Sequence, residues 1–113
     1  MVNRNDRRCE KERLIRSMIT EIALLNIKQG ESKTLESAFQ KAQSIISSMN
    51  GYISHELLVC IEQSDKYLLT VNWKTLEDHV IGFRNSNEYK DWKQLLHHFY
   101  EPFPIVEHYQ KIF

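Results

Sequence analysis

Hydrophobic and polar residues recur along the chain with periods that change from strand-like to helical and back. The segment MITEIALLNIKQG, residues 18–30, is rich in β-branched and apolar residues and predicts a first strand. Ser32 is the expected N-cap of the helix that follows, and Asn50-Gly51 is its expected stop signal. Apolar residues at spacings of three and four give this helix one buried stripe: Leu35, Ala38, Phe39, Ala42, Ile45, Ile46 and Met49.

The second half of the chain predicts a hairpin, two shorter helices and a last strand. YISHELLVCI and KYLLTVNW are separated by the four polar residues EQSD, which favours an antiparallel pair. Thr75 is expected to start a helix with Leu76, His79, Val80 and Phe83 on one face. A short helix follows, with apolar residues at helical spacing, and the segment EPFP ends it before the strand IVEHYQKIF. Its apolar residues are Tyr89, Trp92, Leu95, Leu96 and Phe99.

The order β-α-β-β-α(α)-β predicts an α+β fold, a ferredoxin-like four-stranded antiparallel sheet with helices on one face. Strand alternation gives the sheet two largely apolar faces, whereas a sheet covered on one side should be polar on the other. We therefore predict a homodimer that packs sheet on sheet. The face under the helices takes Ile53, His55, Leu57, Val59, Tyr67, Leu69, Val71 and Trp73; the opposite face takes Ile22, Leu24, Leu58, Cys60, Leu68 and Thr70.

Length and composition are those of one globular domain: 113 residues, 42% hydrophobic and 27% charged. The charge is uneven, since residues 1–17 hold six Lys/Arg against three acids. We predict a basic, disordered leader over 1–17 and a folded domain over 18–113. The acidic body argues against nucleic acid, and no apolar run is long enough to span a membrane. Cys9 and Cys60 form no disulfide pattern, which favours a cytoplasmic location.

Four segments together resemble the antibiotic biosynthesis monooxygenase (ABM) domain, from Met18 to about Tyr109. They are MITEIALLNIKQG, AFQKAQSIISSMNGYISHELLVC, YLLTVNWKTLEDHVIGFRNSNEYKDW and LLHHFYEPFPIVEHY. The resemblance implies the dimeric α/β barrel built from ferredoxin-like subunits. It also implies a family that includes cofactor-free monooxygenases of quinols or polycyclic aromatics, a haem-degrading branch, and many members without an established activity.

The haem-degrading branch uses an asparagine on strand one together with a tryptophan and a histidine from the helical region. In this chain those places fall near Ala23, Gly82 and Trp92, so none of the three residue types matches. His97 lies about a turn further on. The resemblance therefore favours a protein without haem or another cofactor.

A cofactor-free monooxygenase needs an apolar cavity, a base near the phenol of its substrate, and donors for the developing anion. His79 lies on the apolar face of the second predicted helix and is the candidate base. Trp73 could line the cavity and donate its indole N–H, and Arg84 could attract an anion. The structural alternatives are a core histidine, a core tryptophan, and an exposed arginine paired with Glu88.

Six further residues are candidates for binding a small aromatic substrate: His55, Tyr67, Asn72, Phe83, Trp92 and His97. The aromatic ones serve equally well as core residues, and His55 as a satisfied buried histidine. By strand alternation Asn72 faces away from Trp73, so a structural role near the turn is the alternative for it.

The segment LLHHFYEPFPIVEHYQ, residues 95–110, holds three of the five histidines. His97 and His98 are adjacent, so on a helix they diverge by about 100° and cannot both face one metal ion. His108 follows two prolines, and no cysteine is near. We predict no metal site; one histidine of the adjacent pair faces the interior, and the other faces solvent or a partner.

Two classes of function therefore remain open. The first is a cofactor-independent monooxygenase that oxidises a quinol or a related electron-rich aromatic with O2. The second is a non-enzymatic dimer of the same fold that binds a small hydrophobic ligand, with a haem-binding protein as a third and less favoured possibility.

Overall fold

The computed structural model describes residues 18–113, and the predicted leader lies outside the described residues. Four antiparallel strands form one sheet in the order β2-β3-β1-β4. They are β1 (Ile19–Asn26), β2 (Tyr52–Val59), β3 (Lys66–Trp73) and β4 (Val106–Gln110). The helices are α1 (Ser32–Ser47), a π-helix (Asp78–Phe83), α2 (Asn87–Leu96) and a 3-10 turn (His97–Phe99). The predicted α+β, ferredoxin-like fold is confirmed.

The core lies between the sheet and the helices. Inward residues of β1 and β3 stand opposite one another, with Ala23 paired to Leu69 and Leu25 to Tyr67. Helix α1 adds a stripe of buried residues, because its apolar positions recur at helical spacing: Leu35, Phe39, Ala42 and Ile46. Each fully buried Leu, Ile or Phe side chain contributes on the order of 1.5–3 kcal/mol to stability.

The predicted start of α1 was wrong by one residue, and its predicted end by a few residues. Ser32 is the first helical residue rather than the N-cap, and its hydroxyl donates to the carbonyl of Ser64 (3.2 Å). The helix ends at Ser47, before Asn50-Gly51. Gly51 nevertheless adopts a positive φ of 82°, the conformation for which glycine is favoured.

The second helix has π-helical rather than α-helical geometry. The N–H of Arg84 donates to the carbonyl of His79, five residues earlier (3.2 Å). Thr75 does cap the turn before it, because its hydroxyl oxygen accepts from the N–H of Asp78 (3.2 Å). The π-helix also packs closely on the turn before β2: a methyl group on Gly51 would overlap the Asp78 side chain, 2.0 Å from Oδ2.

The second face of the sheet carries a row of leucines across three strands. Leu68 of β3 is paired with Leu24 of β1 and with Leu58 of β2. Leu24 and Leu58 are 43% and 47% exposed. Ile53 was predicted to lie on the face under the helices, and this prediction is wrong. Strand β2 is irregular between Tyr52 and Ser54, and Ile53 is exposed.

The ends of the strands differ slightly from the prediction. Strand β2 stops at Val59, so Cys60 lies just beyond it, where its thiol is free and faces a carboxylate oxygen of Glu62 (3.8 Å). Across residues 18–113, no helix has the length and apolar character needed to cross a bilayer. The cytoplasmic location stays a prediction.

Candidate active site

A cavity of about 350 Å³ lies between the β1–β4 half of the sheet, the π-helix, α2 and the segment that leads into β4. Its walls are largely aromatic: Phe83, Tyr89, Trp92, Tyr100 and Phe103. Four side chains that carry polar or charged groups also line it: Glu21, His79, Arg84 and His97. A concave site with apolar walls and a few polar groups is typical of small-molecule binding.

Glu21 is placed inside by the alternation of β1, since it shares a face with Ala23 and Leu25. The residue is 7% exposed. Its Oε1 accepts a hydrogen bond from Nε1–H of Trp73 (3.0 Å) and lies 3.2 Å from Nε2 of His79. Burial raises the pKa of Glu21 to about 7, although the Trp73 hydrogen bond and the charge of Arg84 oppose the rise.

His79 lies on the inner side of the π-helix, with its ring stacked on that of Trp73 (5.4 Å between centroids, 20° between planes). Its second nitrogen, Nδ1, is 2.8 Å from Nε2 of His108. Burial lowers the pKa of His79 to about 3, and the charges of Arg84 and His108 add to the effect. Burial penalises the charged forms of both Glu21 and His79, so the uncharged pair is favoured over an ion pair. Glu21 is therefore the group that titrates near neutral pH.

Arg84 follows the π-helix directly and is exposed where it lines the cavity. Its guanidinium lowers the pKa of Glu21, of His79 and of His108. Burial raises the pKa of Tyr100, and the charge of Glu21 raises it further, so the phenol keeps its proton. The site thus combines one titrating carboxyl, a fixed positive charge and a neutral hydroxyl.

The structure distinguishes the two adjacent histidines of the 95–110 segment. His97 lines the cavity, with its ring edge-on to Tyr89 (6.0 Å) and to Phe103 (5.0 Å). Burial lowers its pKa, and Lys93 lowers it further. His98 is exposed and lies against the ring of Phe99.

The three histidines of that segment therefore have three different surroundings. His97 faces the cavity, His98 faces solvent, and His108 contacts His79. In the part of the chain that the structure describes, no group of three or more His, Cys, Asp or Glu side chains is arranged to hold a metal ion.

Five of the predicted site residues come together around the cavity: His79, Phe83, Arg84, Trp92 and His97. Trp73 lies behind them, completely buried, and reaches the site through its hydrogen bond to Glu21.

The other three predicted site residues lie elsewhere. His55 is hydrogen-bonded to Tyr52 (2.5 Å) and Gln43 (2.9 Å). Tyr67 donates its hydroxyl proton to Glu36. Asn72 is on the leucine-bearing face, where it accepts from Thr20 (2.6 Å).

Two residues that contact His79, Glu21 and His108, were not among the predicted site residues. A signal for Glu21 was present in the sequence. Ile22 and Leu24 were predicted on the face of β1 away from the helices, so alternation puts Glu21 on the buried face. A buried carboxyl without an evident partner is a candidate functional residue. His108 gave no such signal, because its contact with His79 depends on how β4 pairs with β1.

Comparisons with known proteins agree with this fold. A family model described as antibiotic biosynthesis monooxygenase matches residues 18–95. The uncharacterised protein YczJ of Bacillus subtilis (strain 168) is 56% identical over 95 residues, which cover 84% of this chain and 100% of YczJ. The chain therefore belongs to the antibiotic biosynthesis monooxygenase (ABM) family, as its sequence resemblance predicted.

Two solved structures show how far the likeness extends. A Bordetella bronchiseptica protein described under the same family name is 29% identical with a TM-score of 0.82, over 86% of this chain and 99% of that one. SnoaB, a cofactor-independent oxygenase from Streptomyces nogalater, has a TM-score of 0.64 over 86% of this chain and 93% of its own. At 16% identity, the likeness to SnoaB shows a shared fold.

Proposed function

We propose that this protein is a cofactor-independent monooxygenase that oxidises a quinol or a related electron-rich aromatic with O2 in the cavity around Glu21. The observation that carries the proposal is a buried carboxyl, with a pKa of about 7, inside an aromatic cavity. A base is most effective when its pKa lies near the working pH. A family that includes such oxygenases supports the same assignment.

The reaction balances without a reductant. A hydroquinone and O2 give a hydroxyquinone and water, and the substrate supplies all four electrons. One oxygen atom enters the ring and the other leaves as water. A protein that runs this reaction has to bind the quinol, remove a proton, and keep bulk water from the intermediates.

Glu21 is the proposed base. Its Oε1 is already engaged by Trp73 and His79, so we assign Oε2 as the oxygen that accepts the quinol proton. The resulting phenolate reduces O2 at a ring carbon, where a C–O bond forms and gives a peroxide. Glu21 returns its proton to the peroxide. Loss of the ring C–H proton then accompanies cleavage of the O–O bond, which releases water and leaves a carbonyl.

The other residues around the cavity bind and orient in this proposal. Tyr89 and Trp92 offer aromatic surfaces for the substrate ring, and Arg84 offers a positive charge to the phenolate and the peroxide. Trp73 and His79 hold the carboxyl in place. His55, Tyr67 and Asn72 receive no role in substrate binding, because they lie away from this cavity.

The volume of the cavity bears on the substrate. Small-molecule sites commonly measure about 300–1,000 Å³, and this one lies near the lower limit. We therefore propose that the substrate has a single ring or two fused rings and is not a larger polycyclic aromatic.

The test is oxygen uptake with a panel of one- and two-ring hydroquinones in the presence of a chelator. We expect one O2 consumed per quinol, and Glu21→Gln should lower kcat by about 100-fold or more. Glu36→Gln is the matched control, because Glu36 also accepts a hydrogen bond from an aromatic side chain but outside the cavity. It should retain kcat within about twofold.

Other results would point elsewhere. Quinols that bind but consume no O2 across the panel would favour a non-enzymatic ligand-binding dimer. A Soret band on titration with haem, lost in His97→Ala, would favour a haem protein.

We also propose that the protein is a homodimer through the leucine-bearing face of the sheet. The row of Leu24, Leu68 and Leu58 is apolar and continuous across three strands, and apolar sheet faces of this kind are usually covered. Sedimentation equilibrium should give twice the chain mass. Leu68→Glu, at the centre of the row, should give a monomer; a wild-type chain that sediments as a monomer at micromolar concentration contradicts the proposal.

A further inference from the structure

Three ionisable side chains are linked by close polar contacts into a continuous chain that leads away from the cavity. Oε1 of Glu21 lies 3.2 Å from Nε2 of His79, and Nδ1 of His79 lies 2.8 Å from Nε2 of His108. The imidazole of His79 thus uses one nitrogen toward the cavity carboxyl and the other toward β4. The proposed reaction makes no use of His108.

The fold places these residues together from three separate elements. Glu21 and His108 are paired in register on β1 and β4, so their side chains are neighbours on the same face. His79 comes from the π-helix and bridges them. Strand β4 is at the edge of the sheet, and His108 is only half-buried, so the far end of the chain reaches solvent.

We propose that His79 and His108 form a proton relay through which Glu21 exchanges its proton with solvent while substrate fills the cavity. The inference rests on the proposed role of Glu21 as the base. The relay assigns a function to His108, a residue that does not contact the substrate.

The relay answers a requirement of the proposed reaction. Near neutral pH both the protonated and the ionised forms of Glu21 are populated. A quinol that binds to the protonated form cannot react, since the carboxyl has no room for its proton. With an aromatic ring in the cavity, the direct route from the carboxyl to water is closed, and a second route lets the proton leave without release of the substrate.

Proton transfer through the relay leaves the charge of each imidazole unchanged. When Glu21 is ionised, His79 donates from Nε2 to Oε1 and His108 donates from Nε2 to Nδ1 of His79. For uptake, water gives a proton to Nδ1 of His108, Nε2–H of His108 passes to His79, and Nε2–H of His79 passes to Oε1. Each imidazole gains one proton and loses one, and the reverse steps restore the chain without rotation of a ring.

The charges around the chain favour this neutral exchange over a charged imidazolium. Burial lowers the pKa of both histidines, and the charge of Arg84 lowers both further. Tyr100 and Trp73, which also neighbour the carboxyl, are uncharged donors near neutral pH. A proton is therefore not expected to rest on either imidazole, which agrees with a relay that hands it on.

The direct test is ¹⁵N NMR of the imidazoles in the ligand-free protein, from pH 5 to pH 9. We expect His79 and His108 to change from the Nδ1–H to the Nε2–H tautomer together, as Glu21 ionises near pH 7. Glu21→Gln should abolish the change, and His55 should not follow the Glu21 titration. A single fixed tautomer of His79 across this range would overturn the relay whether or not the protein consumes oxygen.

The kinetic test compares two replacements of His108. Gln can hold a hydrogen bond to His79 but cannot hand on a proton, whereas Ala leaves space for added imidazole. Both His108→Gln and His108→Ala should lower kcat by at least about tenfold with KM little changed. Imidazole should restore the Ala variant and not the Gln variant, and His98→Ala should behave as wild type.

A His108→Gln variant with wild-type kcat would show that His108 only holds His79 in place, and would overturn the relay. If the wild type itself consumes no oxygen with any quinol, the proposed function fails instead. The tautomer measurement then still decides whether the relay exists, so the two failures are distinguishable.

Discussion

His79 and His55 both lie between the sheet and the helices, and both have a polar partner within 3.2 Å of each ring nitrogen. Burial lowers the pKa of both. The partners differ: His79 contacts Glu21 and His108, whereas His55 contacts Tyr52 and Gln43. His79 also lines a cavity, while His55 packs edge-on against the ring of Phe39 (5.8 Å).

The difference shows what separates a functional histidine from a structural one in this fold. Burial and polar partners on both ring nitrogens are common to both regions, so neither property identifies the site. The region of His79 adds a carboxyl that titrates near neutral pH and space for a ligand. The region of His55 has uncharged partners that do not titrate there.

The largest expected difference between the two regions is in activity. His79→Ala removes a hydrogen-bond donor of the proposed base and the centre of the relay, so kcat for quinol oxidation should fall by about 100-fold. His55→Ala should change kcat by less than about threefold. Steady-state oxygen uptake measures both; equal losses in the two variants would remove the distinction.

The pH dependence of stability should separate the regions next. The pKa of Glu21 is raised from 4.5 to about 7, so the folded state holds a proton that the unfolded state loses, and stability falls as pH rises between these values. The pKa of His79 is lowered from 6.5 to about 3, so its contribution is lost as pH falls from 6.5. In the wild type the two slopes offset each other between about pH 4.5 and 6.5.

Glu21→Gln removes the first slope. We compare the free energy of unfolding of this variant with that of the wild type in urea titrations. From pH 4.5 to pH 8 the difference between them should change by about 2–3 kcal/mol in favour of the variant. His55→Gln should show a relative change of the opposite sign, because the pKa of His55 is lowered rather than raised. A pH-independent difference for Glu21→Gln would mean that Glu21 ionises normally.

A smaller effect is expected from removal of one hydrogen-bonding group in each region. Trp73→Phe leaves Oε1 of Glu21 without its indole partner and should cost about 1–3 kcal/mol in the free energy of unfolding, more at pH 8 than at pH 5. Tyr52→Phe removes the hydroxyl beside His55, in a half-buried place, and should cost less than about 1 kcal/mol at either pH. The same urea titrations compare the two.

The smallest effect concerns the positive charge at the cavity. Arg84→Gln should raise the pKa of Glu21 and of His79, since the guanidinium lowers both, by less than about one pH unit for Glu21. Lys93→Gln is the control: it should raise the pKa of His97 and leave that of Glu21 unchanged. Carboxyl ¹³C titration detects the first change, and its absence would place the charge of Arg84 away from the carboxyl.

Most of the fold followed from periodicity. The alternation in β1 and β3 and the three-and-four spacing in α1 each predict one buried face, and four strands with helices on one side close in few ways. The π-helix could not be predicted, because Leu76, His79 and Phe83 fit an α-helical face equally well. The irregularity in β2 near Ile53 was hidden for a similar reason, since pairing with β3 decides it.

The site was predictable only in part. His79, Phe83 and Trp92 were found because they lie on apolar helix faces, which point at the same interior. His55 was selected from the apolar face of a strand and lies away from the cavity, since the spacing of residues in a strand does not tell which part of the sheet borders a cavity. Glu21 could have been found from alternation, whereas His108 required the register of β4.

The contact between Gly51 and the π-helix has a consequence for substitutions at Gly51. Any side chain there would displace Asp78, and His79 is the next residue along the chain. In a saturation library selected for turnover, this loop position should therefore tolerate as few replacements as the residues that surround the substrate, although it lies outside the cavity. That intolerance would result from the close contact between Gly51 and Asp78. A search for active-site residues based only on tolerance to substitution would therefore wrongly include Gly51.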